Sequence, residues 1–192
     1  MAFLANGCAL LVRGPTLKPH YYDPEHPGSV TATAGPRACT LHLGEVSASD
    51  DLGQSIAFRS AEYEMGYYET RRWSQTPDNY LRSALVRALF DEGRCRRVLS
   101  GDGPTLDARL LRFEQERGPE RARVAVHVIV YDIHGVSREQ TFEASRPFAE
   151  GADEARFDAF VAALSVALDD VVAQVVAAVT SGVAGPPRLD GR

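Results

Sequence analysis

Three long segments in the second half of the chain alternate apolar and polar residues, and they constrain the fold more than any other feature. The segments are residues 105–117, 122–133 and 137–148, and the dipeptides Gly118-Pro119 and His134-Gly135 separate them. Alternation at every second residue is the pattern of a β-strand, and such dipeptides favour tight turns. The sequence therefore predicts an antiparallel meander of three strands. Its middle strand is apolar on both faces, which predicts a central position, and a slip in alternation between Leu110 and Leu111 predicts a β-bulge.

Two helices accompany these strands. The tripeptide Thr76-Pro77-Asp78 combines a good N-cap, a proline suited to the first helical position and an acidic residue at the positive end of the helix dipole. It predicts a helix over Pro77–Glu92, with Gly93 just past its end. In a second helix, about Asp153–Thr180, apolar residues recur at intervals of three and four. This apolar stripe is expected to pack on the sheet; the alternative is that its C-terminal half projects and meets another subunit.

The remaining elements complete the predicted fold. Shorter strands are predicted at residues 38–49, 55–60, 65–70 and 95–99. Together the elements indicate an α+β fold, a two-layer α/β domain in which an antiparallel-rich sheet packs against two helices, the C-terminal helix being long. The domain is expected to span residues 37–180. Residues 9–36 are rich in proline and glycine, which break regular structure, and are interpreted as a tether; residues 181–192 are interpreted as a flexible tail.

Size and charge exclude several classes of protein. A chain of 192 residues suits one domain of ordinary size. The formal net charge of −5 is mild, and no segment concentrates lysine and arginine as binding to nucleic-acid phosphates requires. No stretch reaches the roughly 20 apolar residues that a membrane-spanning helix needs.

The chain lacks the common catalytic and ligand-binding motifs. It has no glycine-rich phosphate loop in a strand-to-helix context, no nucleophile elbow and no paired-histidine zinc helix, and its five histidines are dispersed. Glu114 and Glu116 share one face of a predicted strand and form a conceivable acid–base pair, but solvated strand faces carry such residues routinely. The sequence therefore predicts no catalytic residue, no cofactor and no metal.

The chain contains three cysteines, Cys8, Cys39 and Cys95. Pairing of Cys39 with Cys95 is the arrangement that leaves Cys8 free, and it requires Cα atoms within about 7 Å of each other. Arginines flank Cys95, but no histidine is near it in sequence, so a structural or disulfide role is preferred to a reactive one.

Aromatic residues cluster just before the first predicted helix, at Tyr67, Tyr68 and Trp73. One interpretation is that Trp73 anchors this helix on the sheet. The other is that all three residues form a contact surface for a partner or a lipid. The sequence leaves both interpretations open.

The segment YYETRRWSQTPDNYLRSALVRALFDEG resembles the signature of the ABC-type transport auxiliary lipoproteins of the PqiC/YmbA type, in which a strand ends in Arg-Trp, a short polar link with proline follows, and a leucine-rich helix comes next. The matching positions are Arg72, Trp73, Pro77, Leu81, Leu85 and Leu89. The stretch HYYDPEHPG, the strand pair within residues 105–133 and the closing segment FDAFVAALSVALDDVVAQV are also similar to the family. The resemblance covers about residues 20–178.

The resemblance implies a non-enzymatic lipoprotein of the Gram-negative envelope, on the periplasmic side of the outer membrane. It implies lipid attachment at Cys8, so that residues 1–8 would be the remnant of a signal peptide and lipobox. The implied partners are a mammalian-cell-entry (MCE) domain protein and an ABC permease and ATPase that move lipids between membranes; association into a homo-oligomer is left open. Two rival hypotheses remain, a periplasmic protein that takes a lipid or small molecule into an apolar cavity, and an enzyme with polar groups converging in a cleft.

Overall fold

A single mixed sheet covered on one face by two helices forms the folded part of the protein. The structure, a computed structural model, describes residues 17–24, 37, 39–101, 103–149 and 151–182, and within these residues the sheet has eight strands. The predicted α+β fold with two helices, the C-terminal one long, is confirmed. The prediction of a flexible tail falls almost entirely on residues outside the described part.

The strands are β1 His20–Tyr22, β2 Cys39–Ala48, β3 Ser55–Ala61, β4 Glu64–Trp73, β5 Cys95–Arg97, β6 Thr105–Glu116, β7 Arg121–Asp132 and β8 Gly135–Pro147. The helices are α1 Pro77–Val86, which continues into a π-helical turn at Arg87–Asp91, and α2 Asp153–Gly182. Across the sheet the order runs from β1 through β4, β3, β6 and β7 to β8, while β2 also pairs with β6 and β5 pairs with β2. The strands β1 and β8 therefore lie at opposite edges.

The antiparallel meander of β6, β7 and β8 is confirmed, and β7 has the predicted central position, with β6 on one side and β8 on the other. The valines on one face of β7 are buried in the core beneath the helices. The predicted β-bulge is also confirmed, because Leu110 pairs with Val126 whereas Arg112 pairs with Ala125, which leaves Leu111 as the extra residue.

Parallel pairing on the other edge of β6 was not predicted. Strand β2 pairs with the first half of β6, ending at Ala48 opposite Leu110, and β3 pairs with the second half, beginning at Ala57 opposite Glu114. The bulge lies where one partner gives way to the other. A local change of twist at a bulge allows two separate strands to share one edge.

Three residues that the sequence analysis assigned to the tether form a strand. His20–Tyr22 is β1, which pairs in parallel with the end of β4, His20 lying opposite Arg71. Because β1 is an edge strand, the prolines on either side of it do not interrupt the sheet. The folded unit therefore includes residues before position 37.

Helix α1 begins at Pro77 as predicted, with Thr76 in an extended conformation before it. The Thr76 hydroxyl accepts a hydrogen bond from the side-chain amide of Asn79 at 2.9 Å. It does not cap the helix by accepting one from a backbone N–H. After the π-helical turn, Gly93 has φ +77° and its N–H donates to the carbonyl of Phe90 at 3.1 Å. Glycine adopts this left-handed conformation at little cost, as the prediction required.

Helix α2 packs along the sheet over its whole length. Phe160, Leu164, Val171, Val175 and Val179 are buried, so the C-terminal half does not project and the alternative interpretation of that half is wrong. Contrary to the expectation from the sequence, the helix is long and apolar enough to span a membrane, with a mean hydropathy of 1.8 in its most apolar window. Since 56% of that window is buried inside the protein, its apolar surface is used by the core.

Candidate functional site

The predicted aromatic surface is not assembled in the structure. Trp73 is 0% exposed, and its ring centroid lies 5.2 Å from that of Phe113 and 6.2 Å from that of Tyr80 on α1. Trp73 therefore anchors α1 on the sheet, and the interpretation that it belongs to a contact surface is wrong. A large aromatic ring at the end of a strand, next to a helix start, fills the junction between the two elements.

Tyr67 and Tyr68 lie on opposite faces of β4, because consecutive side chains of a strand alternate. Tyr67 is partly exposed on the face away from the helices, where its hydroxyl donates to the carbonyl of Asp51 at 3.0 Å. Burial, followed by the charge of Asp51, raises the pKa of Tyr67. Tyr68 lies on the helix side, with its ring centroid 5.1 Å from that of Phe157 on α2.

The cysteines of the predicted pair form a disulfide. Cys39 and Cys95 lie directly opposite each other in the neighbouring parallel strands β2 and β5, with Cα atoms 4.6 Å apart. Both cysteines are buried in the core, so the disulfide has a structural role. Cys8, the predicted site of lipid attachment, lies outside the described residues.

A cleft opens beside Tyr68, between the end of the sheet that carries the β6–β7 turn and the beginning of α2. Its volume is about 480 Å³. We call it the arginine cleft, and it is lined by Tyr68, Thr70, Arg71, Gln115, Arg117, Asp153, Arg156 and Phe157. Strand β4, the end of β6 and the first turn of α2 each contribute side chains, so the fold brings together residues that are far apart in sequence.

A chain of hydrogen bonds fixes one wall of the arginine cleft. The Tyr68 hydroxyl donates to the Gln115 side-chain carbonyl, and the Gln115 amide donates to the Glu120 carboxylate at 3.2 Å. Glu120 in turn accepts hydrogen bonds from Arg156. Gln115 at the centre of this network is almost completely buried, and Glu120 holds Arg156, whose side chain is 37% exposed.

Tyr22 of β1 packs against α2 at Phe157, a residue that lines the cleft. Its hydroxyl donates to Glu154 Oε1 at 2.7 Å, and its ring packs on Phe157 with centroids 4.5 Å apart. Burial, followed by the hydrogen bond to Glu154, raises the pKa of Tyr22 to about 12. The same hydrogen bond, with help from Arg71, lowers the pKa of Glu154.

The two glutamates considered as an acid–base pair are each neutralised by arginine. Glu114 is 1% exposed and accepts hydrogen bonds from Arg59 Nε at 3.0 Å and Arg112 Nη1 at 2.9 Å. Glu116 accepts one from Arg123 Nη1 at 2.6 Å. The expectation of a solvated strand face is therefore wrong for Glu114. In the part of the chain that the structure describes, no three His, Cys, Asp or Glu side chains are grouped to bind a metal.

Apolar side chains are exposed together at the opposite end of the central strands. Ile133 is 75% exposed and Val136 62% exposed in the β7–β8 turn, and Tyr131 precedes them. Tyr131 and Val136 are paired across this turn. We call Tyr131, Ile133 and Val136 the apolar end.

Acidic residues flank the apolar end. The charge of Asp107, with burial as the second cause, raises the pKa of Tyr131, and Glu45 adds to the effect. Asp132 lies within the turn, where its carboxylate accepts a hydrogen bond from the backbone of His134 at 2.7 Å. An exposed apolar patch with a charged rim is typical of a protein-contact surface.

Comparisons with known proteins give a family and a fold. The family model described as ABC-type transport auxiliary lipoprotein component matches residues 23–176. No curated protein matches the chain.

Among solved structures, the chain is similar to a Xanthomonas campestris protein of the DUF330 family, with a TM-score of 0.70 and 22% identity over 85% of this chain and 96% of the other. It is also similar to an uncharacterized protein, with a TM-score of 0.64 and 13% identity over 84% and 99% of the two chains. A hypothetical protein from Chlamydia trachomatis gives a TM-score of 0.52 and 12% identity over 78% and 99%. At these identities the structural matches establish a shared fold.

Proposed function

The chain belongs to the family of ABC-type transport auxiliary lipoprotein components, and we propose that it acts as a non-enzymatic periplasmic adaptor in an ABC-type or MCE-type system that moves lipids between membranes. Family membership supplies the connection to an ABC transport system. The MCE-domain partner, the outer-membrane location and the adaptor role are the parts that we add.

The apolar end is the observation that carries the adaptor role. Ile133 and Val136 expose apolar surface at the tip of the hairpin that β7 and β8 form. Such surface costs free energy in water unless a partner covers it. The flanking carboxylates favour a protein partner that presents an apolar patch with basic residues around it, which we take to be the MCE-domain protein or the permease.

The proposed anchor is compatible with contact at the apolar end. Strand β1, where the described chain begins, lies at the opposite edge of the sheet from β8. If Cys8 carries lipid, residues 9–19 form the link to β1, which at about 3 Å per residue reaches roughly 30 Å. An anchor attached at one edge leaves the β7–β8 turn at the other edge accessible to a second protein.

The rival hypotheses receive less support from the packing. Side chains of α2 such as Phe160, Leu164 and Val171 are fully buried, so at these positions the layer between sheet and helix is filled by protein side chains. For the enzyme hypothesis, the buried carboxylate of Glu114, one of the two glutamates considered as an acid–base pair, is already held by two arginines.

The adaptor role is tested by affinity purification from envelope extract with the wild type and Ile133→Asp. The wild type should recover an MCE-domain protein together with ABC transporter subunits, and a charge in the centre of the apolar end should reduce that recovery about tenfold or more. Tyr63→Asp is the control, because Tyr63 is a large apolar residue exposed even more fully (92%), in the β3–β4 turn away from the apolar end. Equal recovery by the wild type and Ile133→Asp, or no such partner with the wild type, would contradict the proposal.

A further inference from the structure

We propose that the arginine cleft binds the phosphate group of an anionic ligand, carried by a phospholipid headgroup or present as free phosphate. This inference goes beyond the adaptor function, which requires contact with proteins only. It rests on the position, the partners and the rigidity of the arginines that line the cleft.

Two of the arginines lie against aromatic rings. The Arg71 guanidinium carbon is 4.0 Å from the ring centroid of Phe157, and that of Arg117 is 3.3 Å from the ring centroid of Phe58. Both guanidinium carbons also lie within 5.1 Å of the ring centroid of Tyr68. Stacking uses the face of a guanidinium and leaves its N–H edge free, and that edge matches the oxygens of a phosphate.

The carboxylates near the cleft do not neutralise all of its arginines, so positive charge remains for a ligand. Arg156 is engaged by Glu120, and Arg71 meets the exposed carboxylate of Glu154 at 3.5 Å, a long contact of the kind that stabilises little. Among the residues that the structure describes, Arg117 has no carboxylate partner. A phosphate group would therefore pair with Arg117 directly and would compete with Glu154 for Arg71.

The cleft has a hydrogen-bonded wall and the size of a ligand site. The hydrogen bonds from Tyr68 through Gln115 to Glu120 hold one wall, and the volume of about 480 Å³ falls within the range of small-molecule sites. The rings of Tyr68 and Phe157 provide apolar surface beside the arginines, where the glycerol of a headgroup would pack. Asp153 also lines the cleft, so we expect modest affinity that falls as salt is added.

The test is calorimetric titration of the full chain at low ionic strength with three probes: inorganic phosphate, sn-glycerol 3-phosphate, and phosphatidylcholine vesicles with and without phosphatidylglycerol. Arg117→Gln should weaken binding about tenfold or more, since it removes a charge-assisted pair. Arg138→Gln on β8 is the matched control, because it makes the same charge change outside the cleft, at a side chain that hydrogen-bonds to Gln140. Arg117→Lys keeps the charge but loses the planar fork, so its affinity should be intermediate; circular dichroism establishes that each variant is folded.

The probes distinguish the two sources of phosphate. Binding of sn-glycerol 3-phosphate and of anionic vesicles that depends on Arg117 supports a lipid headgroup, and binding of inorganic phosphate alone supports free phosphate. Binding of none of the probes, or equal weakening by Arg117→Gln and Arg138→Gln, would overturn the inference. Neither result affects the adaptor function, because recovery of the MCE-domain partner is measured without these ligands.

Discussion

Glu114 has the most unusual surroundings of any single side chain, as a buried carboxylate on the sheet face away from the helices. Its oxygens accept hydrogen bonds from Arg59 and Arg112, and the small side chains Ala57 and Ala125 lie buried on the same face. A buried charge is tolerated only when it is paired and hydrogen-bonded. Glu114 therefore holds β3 to β6 through its partner on the neighbouring strand.

Replacement of Glu114 by alanine should destabilise the protein, because it leaves two guanidinium groups without their shared carboxylate. We expect a loss of about 2–3 kcal/mol in the free energy of unfolding, below the figure for a fully buried pair since both arginines are partly exposed. Glu143→Ala, which removes an exposed carboxylate bonded to Arg123, should cost less than about 1 kcal/mol. Urea denaturation measures both, and equal losses would show that the burial of Glu114 is unimportant.

Tyr22 gives a residue-scale prediction for alkaline pH. Its folded pKa of about 12 is raised, by burial first and then by Glu154, above the value of about 10 for an unfolded tyrosine. The contribution of Tyr22 to stability is therefore complete below about pH 10 and is lost as the pH rises through about 12. Wild type should be more stable than Tyr22→Phe at neutral pH, and the difference should shrink across that window.

Urea denaturation at a series of pH values, together with ultraviolet absorbance titration of tyrosinate, measures this effect. Tyr63→Phe is the matched control, because it removes one phenolic hydroxyl from an exposed position. A difference between wild type and Tyr22→Phe that stays constant between pH 10 and 12 would contradict the assigned role of the hydroxyl.

Among the elements, β5 depends most on a covalent bond. It is a three-residue strand that pairs with β2, and the disulfide joins Cys39 of one to Cys95 of the other across a sequence separation of 56. Closing a loop of that length removes conformational entropy from the unfolded chain. The double variant Cys39→Ala/Cys95→Ala should lose about 2–4 kcal/mol of stability, measured by thermal or urea unfolding. Wild type unfolded in the presence of a thiol reductant should show a comparable loss, whereas the double variant should not respond to the reductant.

The elements that local sequence describes well are those predicted correctly. The meander follows from alternation, the bulge from the slip at Leu110 and Leu111, and the start of α1 from Thr76-Pro77. Parallel pairing of β2 and β3 with β6 was missed because a strand's own pattern does not identify its neighbour. Strand β1 was missed because it is three residues long in a region dense with proline, where its pairing comes from β4 and not from its own sequence.

The arginine cleft was largely invisible in the sequence for a related reason. Arg71, Arg117 and Arg156 come from three different elements, and no spacing connects them. Tyr68 was singled out as part of an aromatic cluster, but Trp73, from the same cluster, is in the core. Whether a side chain at the end of a strand is buried depends on whether a helix covers that face of the sheet. Tertiary packing decides this, and the local sequence does not show it.

On the scale of the whole molecule, the central strands separate two different surfaces. The arginine cleft lies by the β6–β7 turn, and the apolar end lies by the β7–β8 turn, so the length of β7 divides them. At about 3.4 Å per residue its 12 residues span roughly 40 Å. A protein partner at one end and an anionic ligand at the other would therefore not compete for space.

The order of the strands along the chain gives a prediction for fragments. Both β2 and β3 take their long-range partner from β6, which begins at Thr105. A chain that ends at residue 104 should lack β-structure by circular dichroism and show no cooperative unfolding, since a hairpin of β3 and β4 without further strands is marginally stable. A chain that ends at residue 182 should unfold cooperatively like the full chain. Cooperative unfolding of the shorter fragment would show that β6 is not required.

The shared edge of β6 also sets the time at which folding can begin during synthesis. More than half of the chain must be made before the strand that unites the sheet exists, and the helix that covers its core comes later still. Until then the growing chain contains only local hairpins and a helix, with their apolar faces uncovered. We therefore expect that the chain has no covered core, and does not fold cooperatively, until β6, β7 and α2 have all been made.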